Sequence, residues 1–179
     1  MEKGRDAAGC VRKVMVAIDE SEYSYHALIW ALDNLKEVIA GSPLVIFAAQ
    51  PTPDCFHTYG AQFGSTRMSS PVPATKSLIS KVLDQKREFT LLLLEKARTI
   101  CENRGVKAET ITEAGEPREL ICNAVEDHKI KLLVVPNRPI GFLKRVFQGS
   151  LGDYCYKNAK CPVLVVKKPE SQRKEENII

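Results

Sequence analysis

VMVAIDESEYSYHALIWAL, Val14 to Leu32, holds the reading on which the fold rests. The run from Lys13 to Ile18 is apolar and rich in β-branched residues, the pattern of a strand buried on both faces. Asp19 and Ser21 follow as helix-capping residues, and Glu22 falls where a carboxylate complements the positive end of a helix. Leu28, Ala31, Leu35 and Val38 then recur at helical spacing until Gly41-Ser42-Pro43 stops the pattern. A doubly buried strand running straight into an amphipathic helix is half of a βαβ unit.

The rest of the chain repeats that alternation. Leu44 to Ala49 reads as a second buried strand. The stretch from about residue 50 to 74 is rich in Pro, Ser, Thr and Gly and reads as a flexible insertion. Val82, Phe89, Leu93, Ala97 and Ile100 mark the core stripe of a long helix ending near Gly105. Val106 to Thr112 alternates like a strand near a sheet edge. Gly115-Glu116-Pro117 opens another helix, with Leu120, Ile121, Ala124 and Val125 as its apolar stripe. Ile130 to Val135 and Cys161 to Val166 are strands four and five, with a short helix from about Ser150 to Asn158 between them. Five strands separated by helices imply an open α/β fold: a parallel sheet, right-handed crossovers and helices on both faces. Residues 1–11 and 168–179 read as disordered ends around one domain spanning 12–167.

Bulk properties exclude several classes. The chain has 179 residues, 44% of them hydrophobic and 27% charged, with a formal net charge of +4. Basic and acidic residues alternate, leaving no nucleic-acid footprint. No apolar run approaches the roughly 20 residues of a membrane span. The six cysteines form no C-x-x-C pair, and neither they nor the three histidines have metal-ligand spacing. No secretory signal opens the chain, so it reads as intracellular with reduced thiols, cytoplasmic or nuclear. No general base or nucleophile stands at a catalytic spacing, and Ser150 sits in neither a nucleophile elbow nor a Walker loop.

Three segments in order, VMVAIDESEYSYHALIWAL, AGEPRELICNAV (114–125) and GFLKRVFQGSLGDYCYKNAKCPVLVVK (141–167), resemble the universal stress protein family, in particular its plant single-domain branch. The resemblance covers about Arg12 to Lys167. It implies a strand order of 3-2-1-4-5 and, for many members, ATP or AMP bound between strands one and four, with Mg²⁺ accompanying ATP. The family's phosphate motif is a glycine, two residues, a glycine, nine residues, then glycine with serine or threonine. Its last element is intact here as Gly149-Ser150, whereas the first two glycines fall on Pro136 and Pro139. Asp19 matches the acidic residue beside the ribose. Ala17, Ile18 and Ala49 match the apolar neighbours of adenine, and Val135 and Leu151 match the loop flanks. The resemblance also implies a homodimer paired through the last strand, Cys161, Val163, Leu164, Val165 and Val166. Slow ATP hydrolysis is a trait of some members.

The prolines divide the reading. Glycine lets backbone N–H groups approach an anion, while proline fixes φ and has no N–H. Each lost donor to a charged oxygen costs about 1.5–3 kcal/mol, or roughly 10- to 150-fold in affinity. Ser150 and the cations Arg138, Lys144 and Arg145 are available as compensation. Two functions stay open: a regulatory module that holds an adenine nucleotide weakly, or a dimeric scaffold that has given up phosphate and acts through protein contacts.

Overall fold

The computed structural model describes residues 12–50, 52, 76–138 and 150–169. Its elements run β1 (Val14–Ala17), α1 (Glu22–Asn34), α2 (Lys36–Ile39), β2 (Leu44–Gln50), α3 (Lys76–Glu102), β3 (Ala108–Ala114), α4 (Pro117–Asp127), β4 (Leu132–Pro136), α5 (Leu151–Asn158) and β5 (Val163–Val166). The five strands form one sheet in the order β3-β2-β1-β4-β5, every pair parallel. β1 is the centre: Met15 lies opposite Val45 on one side and Leu133 on the other.

Strand periodicity divides the core. Val14, Val16, Ile18, Leu44, Ile46, Ala48 and Val134 pack with Ala27, Leu28, Ala31, Leu94 and Ala97 of α1 and α3. Met15, Ala17, Val45, Phe47, Leu133 and Val135 turn the other way, onto Ile121, Ala124 and Val125 of α4 and Cys155 of α5. Both faces of the inner strands β1, β2 and β4 are therefore sealed, which is why these read as unbroken apolar runs. Each large side chain buried this way contributes about 1.5–3 kcal/mol. Burial pushes the Cys101 thiol up to about 11 and the Cys155 thiol up to about 12, so these cysteines are uncharged packing groups.

Several boundaries differ from the sequence expectation for identifiable reasons. The helix expected to reach Gly41 breaks at Leu35 (φ −109°, ψ 20°). Asn34 turns its side-chain amide onto the Trp30 carbonyl, a local bond that competes with continuing the helical ladder. Leu35 and Val38 still pack on the core from the two short pieces. On α3 the buried residues are Thr90, Leu94, Ala97 and Cys101, while Phe89 is 47% exposed and does not belong to the core stripe. Four consecutive leucines, Leu91 to Leu94, erase the helical phase in the sequence. Thr90 tolerates the core position because its hydroxyl donates to the Lys86 carbonyl at 2.9 Å. β2 takes up Gln50, expected in the insertion, and β3 lies two residues later than expected, in register with β2 from Leu44↔Ala108 to Gln50↔Ala114. The remainder of the insertion apart from Thr52, and both expected disordered ends apart from Lys168 and Pro169, lie outside the described residues.

The turn after β1 is clamped from two sides. Lys86 of α3 reaches Glu20 at 3.1 Å, an exposed pair. Lys168, two residues beyond β5 and only 7% exposed, donates to Glu22 in the first turn of α1. Helix ends are handled in two ways. α3 and α4 both close with a bond from the residue five beyond: Val106 N–H to the Cys101 carbonyl and Ile130 N–H to the Val125 carbonyl, 3.0 and 2.9 Å. The residue that must turn left-handed is Gly105 in the first case (φ +73°) but Lys129 in the second (φ +54°).

Two outcomes follow for stability. Glu22→Gln leaves the buried Lys168 ammonium with a weaker acceptor and lowers unfolding free energy by about 1–3 kcal/mol in urea titration, whereas Glu20→Gln changes it by less than about 0.5 kcal/mol. Lys129→Gly relieves the left-handed strain and raises stability by about 0.5–1 kcal/mol in the same assay; an unchanged or lower value would show that the lysine backbone is not strained.

Candidate functional site

The ends of β1 and β4 lie side by side at the centre of the sheet, where strand order reverses from 2-1 to 4-5. Chains leaving two neighbouring parallel strands to opposite faces open a crevice there. Two residues past β1 is Asp19, and two past β4 is Arg138. They meet across the crevice, Arg138 Nη1 lying 3.4 Å from Asp19 Oδ2.

Asp19 is built into the turn. Its Oδ1 accepts both the Ser21 N–H, at 2.8 Å, and the Ser21 hydroxyl, while the Ser24 hydroxyl donates to its carbonyl at 2.7 Å. The helix cap itself is Ser21, whose side chain accepts from the Ser24 N–H at 3.3 Å. Asp19 thus braces the cap with one carboxylate oxygen and turns the other toward Arg138. Both ends of that ion pair are open to solvent, the side chains 44% and 62% exposed. An exposed pair of this kind contributes at most about 1 kcal/mol and separates readily.

The apolar residues expected around an adenine are brought to this region unequally. Ala17 ends β1 and Ile18 follows it, but both are buried, on opposite faces of the sheet. Ala49, near the end of the neighbouring β2, and Leu151, at the start of α5, are half-buried. Val135 is fully buried in the core beneath α4 and α5 and offers no surface of its own. Pro136 is the last residue of β4, paired with Val166.

The anion-binding capacity of the described loop ends is largely committed. Pro136 has no N–H. The next residue, Asn137, spends its N–H on the Val166 carbonyl at 2.8 Å, extending the sheet. Ser150 caps α5: its hydroxyl oxygen accepts the Asp153 N–H at 3.0 Å, and its own N–H and hydroxyl donate to Asp153 Oδ2 at 3.1 and 2.7 Å. This is a capping box with aspartate in the third helical position. The spacing Ser150-x-x-Asp153 is visible in the sequence and signals the competition for Ser150. Pro139 and Gly149, with Lys144 and Arg145, lie outside the described residues. The crevice thus presents a carboxylate oxygen at Asp19 and a guanidinium at Arg138, while the N–H of Asn137 and both donors of Ser150 are engaged within the fold.

Among the described residues no group of three or more His, Cys, Asp or Glu is arranged to hold a metal ion, and no helix is long and apolar enough to cross a membrane. Two surface grooves run between α3 and β3, lined by Leu91, Leu92 and Thr112 in one and Val106 and Lys107 in the other, away from the crevice.

Comparison with known proteins agrees with the architecture. The model of the universal stress protein family matches residues 11–167. Universal stress protein PHOS34 of Arabidopsis thaliana is 29% identical over 92% of this chain, which spans 65% of that relative's length. Universal stress protein YxiE of Bacillus subtilis is 29% identical over 87% of this chain and 98% of its own. Among solved structures, a universal stress protein family protein of Arabidopsis thaliana with AMP bound superposes with a TM-score of 0.61, covering 90% of this chain and 94% of its own at 22% identity. A universal stress protein in complex with cAMP gives 0.60 over 88% and 98%, at 19% identity. With a family model covering nearly all of the folded chain and a sheet of the order 3-2-1-4-5, this chain belongs to the universal stress protein family.

Proposed function

We propose that the chain is a regulatory module of the stress response that takes an adenine nucleotide, ATP or AMP, into the crevice beyond β1 and β4, and that occupancy changes which proteins it engages. The observation that carries this reading is Asp19: a carboxylate held rigidly by Ser21, at the reversal point of the sheet, with one oxygen turned to the crevice. A ribose hydroxyl is a natural donor to that oxygen. Ala49 and Leu151 supply the nearby apolar surface for a base. The AMP and cAMP bound by the two structural relatives support the same ligand class. Mg²⁺ enters only as the counter-ion that ATP carries. The module acts in the cytoplasm.

A second reading has its own observation. Because Ser150 is engaged by Asp153 and Asn137 by Val166, the fold is complete without a phosphate. On that reading the chain is a dimeric scaffold working through protein contacts. The dimer surface in either case is the free edge of β5, from Cys161 through Val163, Leu164 and Val165 to Val166. There Val165 is 43% exposed and the backbone has no strand on its outer side among the described residues.

Calorimetric titration of the purified protein with adenosine, AMP and ATP separates the readings. The nucleotide reading expects saturable heat and a rise in melting temperature, with Asp19→Ala weakening all three ligands by about tenfold or more. Absence of heat and of thermal shift at millimolar ligand would leave the scaffold reading. For the dimer, Val165→Glu places a charge on the β5 edge and is expected to yield a monomer in analytical ultracentrifugation; persistence of the dimer would move the interface elsewhere.

A further inference from the structure

The stretch Pro136-Asn137-Arg138-Pro139 occupies the place of a phosphate-binding turn and has almost no backbone with which to bind one. Two of its four residues lack an N–H, and a third, Asn137, has its N–H in the sheet with Val166 at 2.8 Å. At the other end of the loop both donors of Ser150 rest on Asp153. What the turn does carry is the Arg138 guanidinium, with five N–H donors in a planar fork suited to a phosphate. Its described partner is Asp19, at 3.4 Å across the crevice, in a solvent-exposed pair. Asp19 is also the acceptor proposed for the ribose.

We propose that Arg138 is the phosphate anchor of this crevice, and that it moves between two partners: Asp19 when the crevice is empty, and the phosphate of a nucleoside monophosphate when it is filled. The inference rests on the nucleotide reading above and assigns it a specificity. Arrival of the phosphate draws the guanidinium away from Asp19 Oδ2 and frees that oxygen for a ribose hydroxyl, so one side-chain movement completes both halves of the site. Separation costs little, because an exposed ion pair is weak, and the guanidinium regains a charged partner. A single guanidinium matches a single phosphate group. Neither Pro136 nor Asn137 has an N–H to offer the further phosphates of ATP, so AMP is held at least as tightly as ATP.

The test titrates wild type, Arg138→Gln and Arg138→Lys with adenosine and AMP by calorimetry, after circular dichroism and melting temperature establish that each variant is folded. Arg138→Gln is expected to weaken AMP by roughly ten- to hundredfold while leaving adenosine unchanged or tighter, since Asp19 is released. Arg138→Lys keeps the charge without the fork and falls between. Raising salt should weaken AMP in the wild type and leave adenosine unaffected. Equal losses for AMP and adenosine would overturn the proposal, because Arg138 would then only position Asp19. Unchanged AMP binding in Arg138→Gln, or ATP bound far more tightly than AMP by the wild type, would also overturn it while leaving the nucleotide reading intact. Failure of wild type to bind either adenosine or AMP would remove the nucleotide reading and the anchor together.

Discussion

A strand with hydrogen-bonded neighbours on both edges and helices on both faces has no surface left for a polar side chain. β1 is in that position. Val14 and Val16 face α1 and α3, Met15 and Ala17 face α4 and α5, and β2 and β4 take the two edges. The crevice lies where this strand is allowed to stop. Polarity can return only at its C-terminal end, and it returns abruptly in Asp19, Glu20, Ser21 and Glu22. Those four residues cap α1, receive Lys86 from one helix and Lys168 from beyond the last strand, and turn one carboxylate to the crevice.

The crevice shows a competition between folding and binding for the same donors. A helix N-terminus and a loop at strand ends are suited to anions because their N–H groups are left over from regular structure. In this chain fewer are left over. Asp153 closes the N-terminus of α5 with a protein carboxylate, and the sheet reaches one residue past β4 to take the N–H of Asn137. These bonds stabilise the fold itself, and an anion reaching for the same donors would have to displace them; long side chains would give it a weaker and more adjustable grip than a rigid backbone nest.

Much of the fold was legible in the residues, because buried parallel strands are the strongest pattern a soluble chain can carry. Four were found from apolar runs and the third from its alternation, with the starts of β3, β4 and β5 each offset by two residues. The strand order was not in the periodicity, since nothing in an apolar run names its neighbour; it came from the family resemblance. Phe89 was misplaced because Leu91 to Leu94 give a helix no preferred face, leaving Thr90 to be buried by its place on the ridge facing β2 and β3. At the site, Asp19 was legible from its position after a strand. Its bracing by Ser21 was not, because either residue could have capped the helix. The approach of Arg138 to Asp19 spans 119 positions and has no local signature. Val135 was read as a loop flank but lies in the core, since the loop begins one residue later than an apolar run suggests.

Gly152 lies one residue into α5, and a side chain there would stand 3.0 Å from a methyl of Val165. Helix and last strand are therefore separated by the thickness of a missing methyl group. Close packing of this kind transmits displacement, since neither element can yield into empty space. A second chain pressing on the outer edge of β5 bears on the residue that touches α5 two positions after its cap, Ser150. If the β5 edge is the dimer surface proposed above, contact there and the geometry of the crevice share a mechanical joint one side chain wide. An enlarged residue at 152 would act as a wedge in that joint, altering cap and edge together.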